Sequence, residues 1–368
     1  MSDRQVPIGF FGAHTDRYSV NNQAVLEREL QVMRDAGVET LRVTFLWQQI
    51  QFWFAPRYPG HMHLVSDFIK PDVLIGAAAR AGFSVVGNVF GAPGWATGGM
   101  RPGESPKFPL TVQGGVPQDP ADMGNFMGDL IERYGPAGTF WAEHPEIPAN
   151  PIRIWQPLQE PDRPAFFPQP FDVDHFVAMA HASYQAVKQA DPEATVLGAG
   201  LGPICADSGD FLDSLYRAGL RGSFDVAAIH PFPKDAAGLI HAVRVNREAM
   251  AANGDGELPI ALSQFSFSSA LGASRQVPLP NMSDEAGQAR NVEESLRTIA
   301  EHREELNIYG AYYHSWTSLD TEPLPPSHPD PWLWTGLRRV QSDGQIVSKP
   351  AFDAFRRTTR ELQGRADS

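Results

Sequence analysis

The sequence has one cysteine, Cys205, among its 368 residues. No internal disulfide is therefore possible, and no cysteine cluster shows the spacing of a zinc site. No stretch approaches the ~18 consecutive apolar residues of a membrane-spanning helix, and the N-terminus lacks the basic and apolar regions of a signal peptide. These absences predict a cytoplasmic protein with no metal site, no cofactor and no membrane partner.

Positive charge is also scarce. Lys and Arg number 30 against 43 Asp and Glu, which gives a formal net charge of −13 at pH 7. Binding to a phosphate backbone needs clustered Lys and Arg that displace counterions. We therefore exclude nucleic acids as partners and expect a small-molecule substrate.

What the chain does contain is a repeated pattern of a short apolar strand, a turn and an amphipathic helix. The strands are predicted at residues 7–11, 40–45, 84–89, 152–156, 195–199, 226–229, 260–263 and 309–313. Helices with apolar residues three and four positions apart are predicted at 22–36, 70–81, 172–190, 208–218, 237–253 and 286–305. No linker divides the chain, so residues 1–368 are expected to form a single domain.

Alternating strands and helices indicate an α/β fold with a parallel sheet, and eight units favour a single (β/α)8 TIM barrel over an open sheet. Catalytic residues of such barrels lie at the carboxyl ends of the strands. The candidate residues near the predicted strand ends are polar or aromatic: His14, Arg42, Trp47, Asn88, Trp95, Gln159, Glu160, His230, Gln264, His314 and Trp316. They suit a ligand that has both apolar faces and hydroxyl groups, such as a sugar or a polyketide-like molecule. Long Pro- and Gly-rich loops at 101–120 and 321–331 are expected to wall this site.

Several of these segments are similar to one known family. They are TLRVTFLWQQIQ, GAPGWAT, IWQPLQEPD, DVAAIHPFP and LPIALSQFSF, and together with C-terminal pieces such as YYHSWTS they cover nearly the whole chain. The sequence thus resembles a clan A glycoside hydrolase of the family 39 type. The resemblance implies that Glu160 is the general acid/base and that the position of Gln264 is that of the nucleophilic Glu. It also places Gln159 where the family has Asn.

The amide at Gln264 conflicts with the mechanism of that family. Retaining glycosidases need two carboxyl groups ~5–5.5 Å apart, one of which forms the glycosyl-enzyme. A carboxamide is a far poorer nucleophile, and none of residues 260–270 is acidic. Either a Glu was replaced by Gln264 to trap a substrate, or the chain is a natural pseudoglycosidase. The second departure, Gln159, favours the natural interpretation.

Three hypotheses follow for the function. The first is acid/base chemistry by Glu160, paired with His230 or His314, that dehydrates, cyclises or adds a nucleophile to a natural-product-like metabolite of secondary metabolism. The second is a retaining glycoside hydrolase whose nucleophile was mutated, and the third is an inactive carbohydrate-binding barrel. In each, His14, Arg42, Trp47, Asn88, Trp95, Gln159 and Trp316 are assigned to substrate binding or support, and Glu160 is expected to face Gln264.

Overall fold

The computed structural model describes residues 3–15, 22–54, 63–97, 115–164, 166–167, 170–202, 209–272, 281–318 and 331–365. Cys205 and most of the two predicted loop walls lie outside these ranges. The strands are β1 (Phe11–His14), β2 (Thr40–Leu46), β3 (Gln51–Phe54), β4 (His63–Ser66), β5 (Ser84–Phe90), β6 (Ile154–Gln156), β7 (Thr195–Val196), β8 (Ala227–Ile229), β9 (Ile260–Phe265), β10 (Ile308–Tyr313), β11 (Thr317–Ser318), β12 (Arg338–Val340) and β13 (Ile346–Ser348). The helices are α1 (Gln23–Asp35), α2 (Trp47–Ile50), α3 (Ile69–Arg80), α4 (Pro120–Tyr134), α5 (Thr139–Glu143), α6 (Val173–Ala190), α7 (Asp210–Arg217), α8 (Ala236–Ala252), α9 (Glu285–His302) and α10 (Pro350–Leu362).

Eight strands form one sheet in the order β7-β6-β5-β2-β1-β10-β9-β8. The pairs with a defined register, such as β1 with β10 and β5 with β6, are parallel. A parallel bridge between Leu197 and Val226 joins the chain just after β7 to the chain just before β8, and these are the two ends of the strand order. The fold is therefore a (β/α)8 barrel, as predicted from the eight strand and helix units.

The chain divides into two compact units. The first unit comprises Met1–Arg42, Ala206–Gly209 and Ile229–Ser368, and the second comprises Val43–Cys205 and Asp210–Ala228. The single-domain organisation stays a prediction.

The first strand lies later in the chain than the apolar pattern predicts. It was expected at residues 7–11, but β1 begins at Phe11 and ends at His14. Pro7 has no N–H to donate, Gly9 has a φ of 85°, and the Phe10 N–H donates to the Pro7 carbonyl oxygen at 3.3 Å. These features form a turn, which ends where the strand begins. The shift makes His14 the last residue of β1.

The seventh barrel strand is longer than predicted. β9 runs from Ile260 to Phe265, and all six of its residues are buried. Gln264 is thus part of the strand, one residue before its end. Strands buried on both faces carry no alternating polar pattern, so their ends are hard to predict from periodicity.

All six predicted helices begin within two residues of their expected start, and side-chain caps mark four of these starts. Asn22, Asp172, Asp235 and Asp284 each precede a helix and accept hydrogen bonds from N–H groups of its first turn. Such caps satisfy donors that the helix itself leaves unpaired. None of the helices in the described parts of the chain is long and apolar enough to cross a membrane.

Candidate active site

Four neighbouring strands of the first unit bring predicted site residues to one edge of the sheet. β9, β10 and β1 are adjacent in the sheet, with Tyr313 opposite Phe265 and Ala13 opposite Tyr313. His14, the last residue of β1, lies opposite Arg42 of β2. The carboxyl ends of β9, β10 and β1 therefore carry Gln264, His314 and His14, and Arg42 lies beside His14 in the first half of β2.

His14 and His314 contact each other directly. Their Nδ1 atoms are 2.7 Å apart, the ring centroids are 4.8 Å apart and the ring planes differ by 28°. Both residues are partly exposed. Although His14 keeps some exposed surface, its imidazole is packed among protein atoms. This burial, followed by the nearby His314, Arg42 and His230, holds the pKa of His14 well below its ordinary value. The ring of His14 is therefore neutral at neutral pH. We call these two residues the histidine pair.

The other three candidates of the first unit are buried. Arg42 and His230 have no exposed surface, and Gln264 is 5% exposed. The positive field of Arg42 acts on His14, since it is one of the causes that lower the pKa of that ring. Arg42 thus disfavours protonation of His14, in addition to the supporting role assigned to it from sequence.

In the second unit, Glu160 lies four residues after β6 and has an unusual backbone. Its φ is +46°, in the left-handed region that residues with a Cβ seldom adopt. The residue is 4% exposed, and its carboxylate oxygen Oε2 is 3.3 Å from Nη1 of Arg163. Left-handed backbone at a non-glycine residue costs of order 1–3 kcal/mol and persists where the surroundings impose it.

Contacts with the chain after β7 impose this conformation. The N–H of Glu160 donates to the Gly200 carbonyl oxygen at 2.7 Å, and Gln159 forms a parallel bridge with Gly200. Two residues on, the N–H of Gly202 donates to Oδ1 of Asp162 at 2.7 Å. A Cβ on Gly202 would lie 2.8 Å from both carboxylate oxygens of Asp162, so only glycine allows this approach. Residues 159–163 with Gly200 and Gly202 are called the Glu160 turn below.

Asp162 is a second carboxyl group of the Glu160 turn. Burial raises its pKa above the ordinary range, and the charge of Glu160 acts in the same direction, while the bond from Gly202 opposes both. Its Oδ2 atom is buried and has no hydrogen-bond partner among the described residues. Asp162 holds the turn together and takes up a proton more readily than an ordinary aspartate.

A small apolar cleft with a cavity volume of about 40 Å³ adjoins the Glu160 turn within the second unit. Trp47 and Gln159, both predicted from sequence, line it. Its apolar wall includes Phe90, Met123, Leu158, Phe166, Phe167 and Met179. Gln159 is the only lining residue with a polar side chain among those described, so the cleft suits an apolar ring or chain more than a sugar hydroxyl face.

Trp47, Trp95 and Asn88 are fixed by local contacts. Trp47 stacks on Phe126 at 5.0 Å, and its Nε1 donates to Oε1 of Gln51 at 2.8 Å. Trp95 meets Trp47 edge to face with centroids 5.9 Å apart. Asn88 is buried on β5, and its Nδ2 donates to Oγ1 of Thr44 at 3.3 Å.

Trp316, which the sequence assigns to substrate binding or support, packs in the core. Its side chain is fully buried, its Nε1 donates to Oε2 of Glu29 at 3.0 Å, and its ring packs against Phe352. The same Glu29 oxygen accepts from Nη1 of Arg338 at 2.6 Å. Two residues beyond His314 the chain has turned back into the core, so Trp316 contacts a buried ion pair. Its role in substrate binding stays a prediction.

Sequence reasoning missed the residues that hold Glu160. Asp162 and Arg163 follow it directly, and their closeness to a predicted catalytic carboxyl was the available signal. Gly200 and Gly202 lie about 40 positions further along the chain, and no local sequence pattern connects them with Glu160. The distance between Glu160 and Gln264, and the pairing of Glu160 with His230 or His314, stay predictions.

No group of three or more His, Cys, Asp or Glu residues that could hold a metal ion occurs within the described ranges.

Comparison with known proteins supports the fold. No family model and no curated protein sequence matches the chain. Among solved structures, it is similar to a GH39 β-xylosidase from Caulobacter crescentus, with 17% identity, 96% of this chain and 72% of that chain covered, and a TM-score of 0.64. A glucosidase from Croceicoccus marinus has 15% identity, coverages of 96% and 68%, and a TM-score of 0.65. The GH53 catalytic domain of Ignisphaera aggregans has 18% identity, coverages of 95% and 96%, and a TM-score of 0.59. This chain therefore has the (β/α)8 fold of glycoside hydrolases.

Proposed function

We propose that this protein is a cytoplasmic enzyme on a glycoside hydrolase scaffold that performs acid/base chemistry on a small molecule and forms no glycosyl-enzyme. The observation that carries the proposal is the buried carboxyl group of Glu160, held in a strained left-handed turn at the carboxyl end of a barrel strand. Strained, buried groups in such positions are characteristic of functional sites. The position that would supply a nucleophile is the neutral amide of Gln264, which leaves proton transfer as the chemistry available.

The reaction class is dehydration, or the related conjugate addition and cyclisation, of a hydroxylated carbonyl compound of secondary metabolism. Glu160 takes a proton from the carbon next to the carbonyl, and the electron pair of that C–H bond forms the enolate. When the enolate collapses to the alkene, the β-hydroxyl group leaves with a proton as water. Addition of a hydroxyl or amine nucleophile to the alkene is the reverse sequence. The apolar cleft beside the Glu160 turn would hold the non-reacting part of such a molecule.

Gln264 distinguishes this proposal from hydrolysis. Its amide offers N–H donors to a developing oxyanion, and loss of one such donor typically costs ~2.7–4 kcal/mol of transition-state stabilisation. The likeness to the β-xylosidase and glucosidase structures supports a second candidate function, a retaining glycoside hydrolase in which a Glu stood at position 264.

Gln264→Glu tests the two candidates on one protein. Wild type and variant are assayed with aryl β-xylosides and β-glucosides, and with a β-hydroxy-β-phenyl ketone whose dehydration product is a conjugated enone that absorbs in the near ultraviolet. We expect dehydration to fall about 10²-fold in the variant, and glycoside hydrolysis to stay negligible in both proteins. Gln345→Glu, which places the same charge on an exposed loop, is the matched control. Strong glycoside hydrolysis by Gln264→Glu would instead establish the retaining enzyme.

A further inference from the structure

Asp162 joins the two segments that make up the Glu160 turn. Its Oδ1 atom accepts the N–H of Gly202 at 2.7 Å, and the N–H of Glu160 donates to the Gly200 carbonyl oxygen at 2.7 Å. The segment after β6 and the segment after β7 are thus bonded to each other in both directions. Because these two bonds flank the side chain of Glu160 along the chain, they restrict the direction in which its carboxyl group leaves the turn.

The carboxyl group of Asp162 fills the space beside Gly202. A Cβ on Gly202 would lie 2.8 Å from both carboxylate oxygens of Asp162 and 3.1 Å from its Cγ, and these are the three atoms nearest to it. Any side chain at position 202 would therefore push the Asp162 carboxyl group away from its place. A substitution of Gly202 can thus move this group without changing its charge.

The charged groups that act on Asp162 belong to its own turn. Burial has the largest effect and raises the pKa of Asp162, the N–H groups of Gly202 and of Asp162 itself lower it, Glu160 raises it and Arg163 lowers it. From the chain after β7, the group that bonds to the carboxylate is the uncharged N–H of Gly202. Oδ2 is buried without a hydrogen-bond partner in the described part of the chain.

The repulsion between two carboxylates acts on both of them. Since the charge of Glu160 makes Asp162 bind a proton more readily, the charge of Asp162 strengthens Glu160 as a base by the same interaction. Arg163, whose Nη1 is 3.3 Å from Oε2 of Glu160, acts in the opposite sense. An ordinary glutamate has a pKa of about 4.3 and is a weak base toward a C–H bond, so a neighbouring negative charge favours the proposed reaction.

We propose that Asp162 is a positioning residue for Glu160: its bond to Gly202 fixes the turn that carries the reacting carboxyl group, and its negative charge strengthens that group as a base. The proton removed from the substrate goes to Glu160, and Asp162 acts through Glu160 alone. This inference rests on the proposed function for its purpose, but the bond to Gly202 and the repulsion between the two carboxyl groups exist without any substrate.

The amide proton of Gly202 reports the charge of Asp162, because it is bonded to that carboxyl group. Labelling with ¹³C-carbonyl leucine and ¹⁵N-glycine selects the glycines that follow a leucine. These are Gly198, Gly202 and Gly272. The signal of Gly202 is the one whose pH titration disappears in Asp162→Asn. We expect its midpoint in the wild type to lie above the ordinary aspartate pKa of about 3.9.

Removal of the second charge tests the coupling. In Glu160→Gln the midpoint of the Gly202 titration should move to lower pH, because one of the groups that raise the pKa of Asp162 is gone. Glu146→Gln, which removes an exposed carboxylate, should leave the midpoint unchanged. The same midpoint in Glu160→Gln as in the wild type would overturn the inference.

Two variants separate the charge of Asp162 from its position, with dehydration of the β-hydroxy-β-phenyl ketone as the assay. Asp162→Asn keeps an acceptor for Gly202 and removes the charge. We expect the acidic limb of its kcat–pH profile to move to lower pH by about half a unit or more, with kcat on the plateau reduced only about three-fold. Gly202→Ala keeps the charge and displaces the carboxyl group, and should lower kcat about 10–10²-fold with little change in KM. Gly128→Ala on α4, where an added Cβ has no atom within 4 Å, is the matched control.

The outcomes distinguish this inference from the proposed function. If the wild type turns over the ketone, an unmoved acidic limb in Asp162→Asn or a wild-type kcat in Gly202→Ala would overturn the role of Asp162 and leave the proposed function standing. If the wild type does not turn over the ketone, a Gly202 titration that shifts in Glu160→Gln would support the coupling of the two carboxyl groups and count against the proposed function.

Discussion

The Glu160 turn and the histidine pair place ionisable groups at strand ends by different means. Glu160 is held by its backbone, which bonds to Gly200 and adopts a φ of +46°. The histidine pair is held by two regular strands, and its special feature is a side-chain contact of 2.7 Å. A carboxylate positioned by strain is costly for folding, whereas a pair positioned by strand register adds little strain.

The electrostatic environments differ in the same way. Glu160 lies near Arg163 and beside Asp162, whose pKa is raised chiefly by burial. The histidine pair lies beside Arg42, and burial together with neighbouring positive groups keeps His14 unprotonated. The Glu160 turn therefore holds acidic groups, and the histidine pair holds a neutral base in His14.

The largest expected effect is on catalysis at Glu160. Loss of a general acid/base typically costs ~10²–10⁴-fold in rate. Glu160→Gln should therefore nearly abolish dehydration of the β-hydroxy-β-phenyl ketone, measured as enone absorbance, while the circular dichroism spectrum stays unchanged. Glu146→Gln, an exposed position, is the control. Near-normal turnover by Glu160→Gln would indicate that the histidine pair, and not the Glu160 turn, carries out the proton transfer.

The next effect concerns stability near the histidine pair. Trp316→Phe removes the hydrogen bond from Trp316 to Oε2 of Glu29, a fully buried carboxylate. Among the described residues, Arg338 is then the remaining hydrogen-bond donor to that oxygen. Leaving a buried group short of a partner costs ≈ 1–3 kcal/mol. We expect the free energy of urea-induced unfolding to fall by about that amount, with kcat unchanged. A fall in kcat without a loss of stability would indicate that Trp316 belongs to the substrate-binding site.

The Glu160 turn shows what the sequence can predict and what it cannot. The motif around Glu160 is contiguous, so its resemblance to a glycosidase strand end placed the carboxyl group correctly after a barrel strand. Its left-handed backbone is imposed by Gly200 and Gly202, which are distant in sequence, and no local pattern signals that contact. The barrel itself was predictable because every unit repeats the same strand and helix periodicity.

The contact within the histidine pair could not be predicted from the sequence either, because its two residues are even further apart along the chain. His14 and His314 are 300 positions apart, and each was assigned a separate role from its own strand end. Their contact depends on β1 lying beside β10 and on a register that the shifted position of β1 obscured. The burial of Trp316 was not predictable for a related reason, since the position of a residue after a strand does not show whether its side chain points to the core or to the site.

A paired substitution isolates the backbone strain at Glu160. Glu160→Ala keeps the Cβ in the left-handed conformation, while Glu160→Gly removes it, and both lose the carboxylate. Because the left-handed conformation costs roughly 1–2 kcal/mol for a residue with a Cβ, the glycine variant should be about 1 kcal/mol more stable than the alanine variant in urea unfolding. Asn307, which also has a positive φ of 47°, is a control position outside the turn. Equal stabilities would show that the turn is not strained and would remove the main contrast with the histidine pair.

The smallest expected effect is a pH dependence of stability that comes from His14. Its pKa in the folded protein is lowered, first by burial and then by His314, Arg42 and His230. As pH falls below about 6.5, the ordinary histidine pKa, the unfolded chain binds this proton while the folded protein does not. The free energy of unfolding therefore decreases as pH falls from that value to the folded pKa, by at most about 1.4 kcal/mol per pH unit for one proton. Urea unfolding of wild type and His14→Asn between pH 7.5 and 5 should show a shallower pH slope in the variant, whereas His302→Asn should keep the wild-type slope. An identical slope in His14→Asn would mean that the ring is protonated in the folded protein, and the histidine pair would then lack the neutral base that distinguishes it from the Glu160 turn.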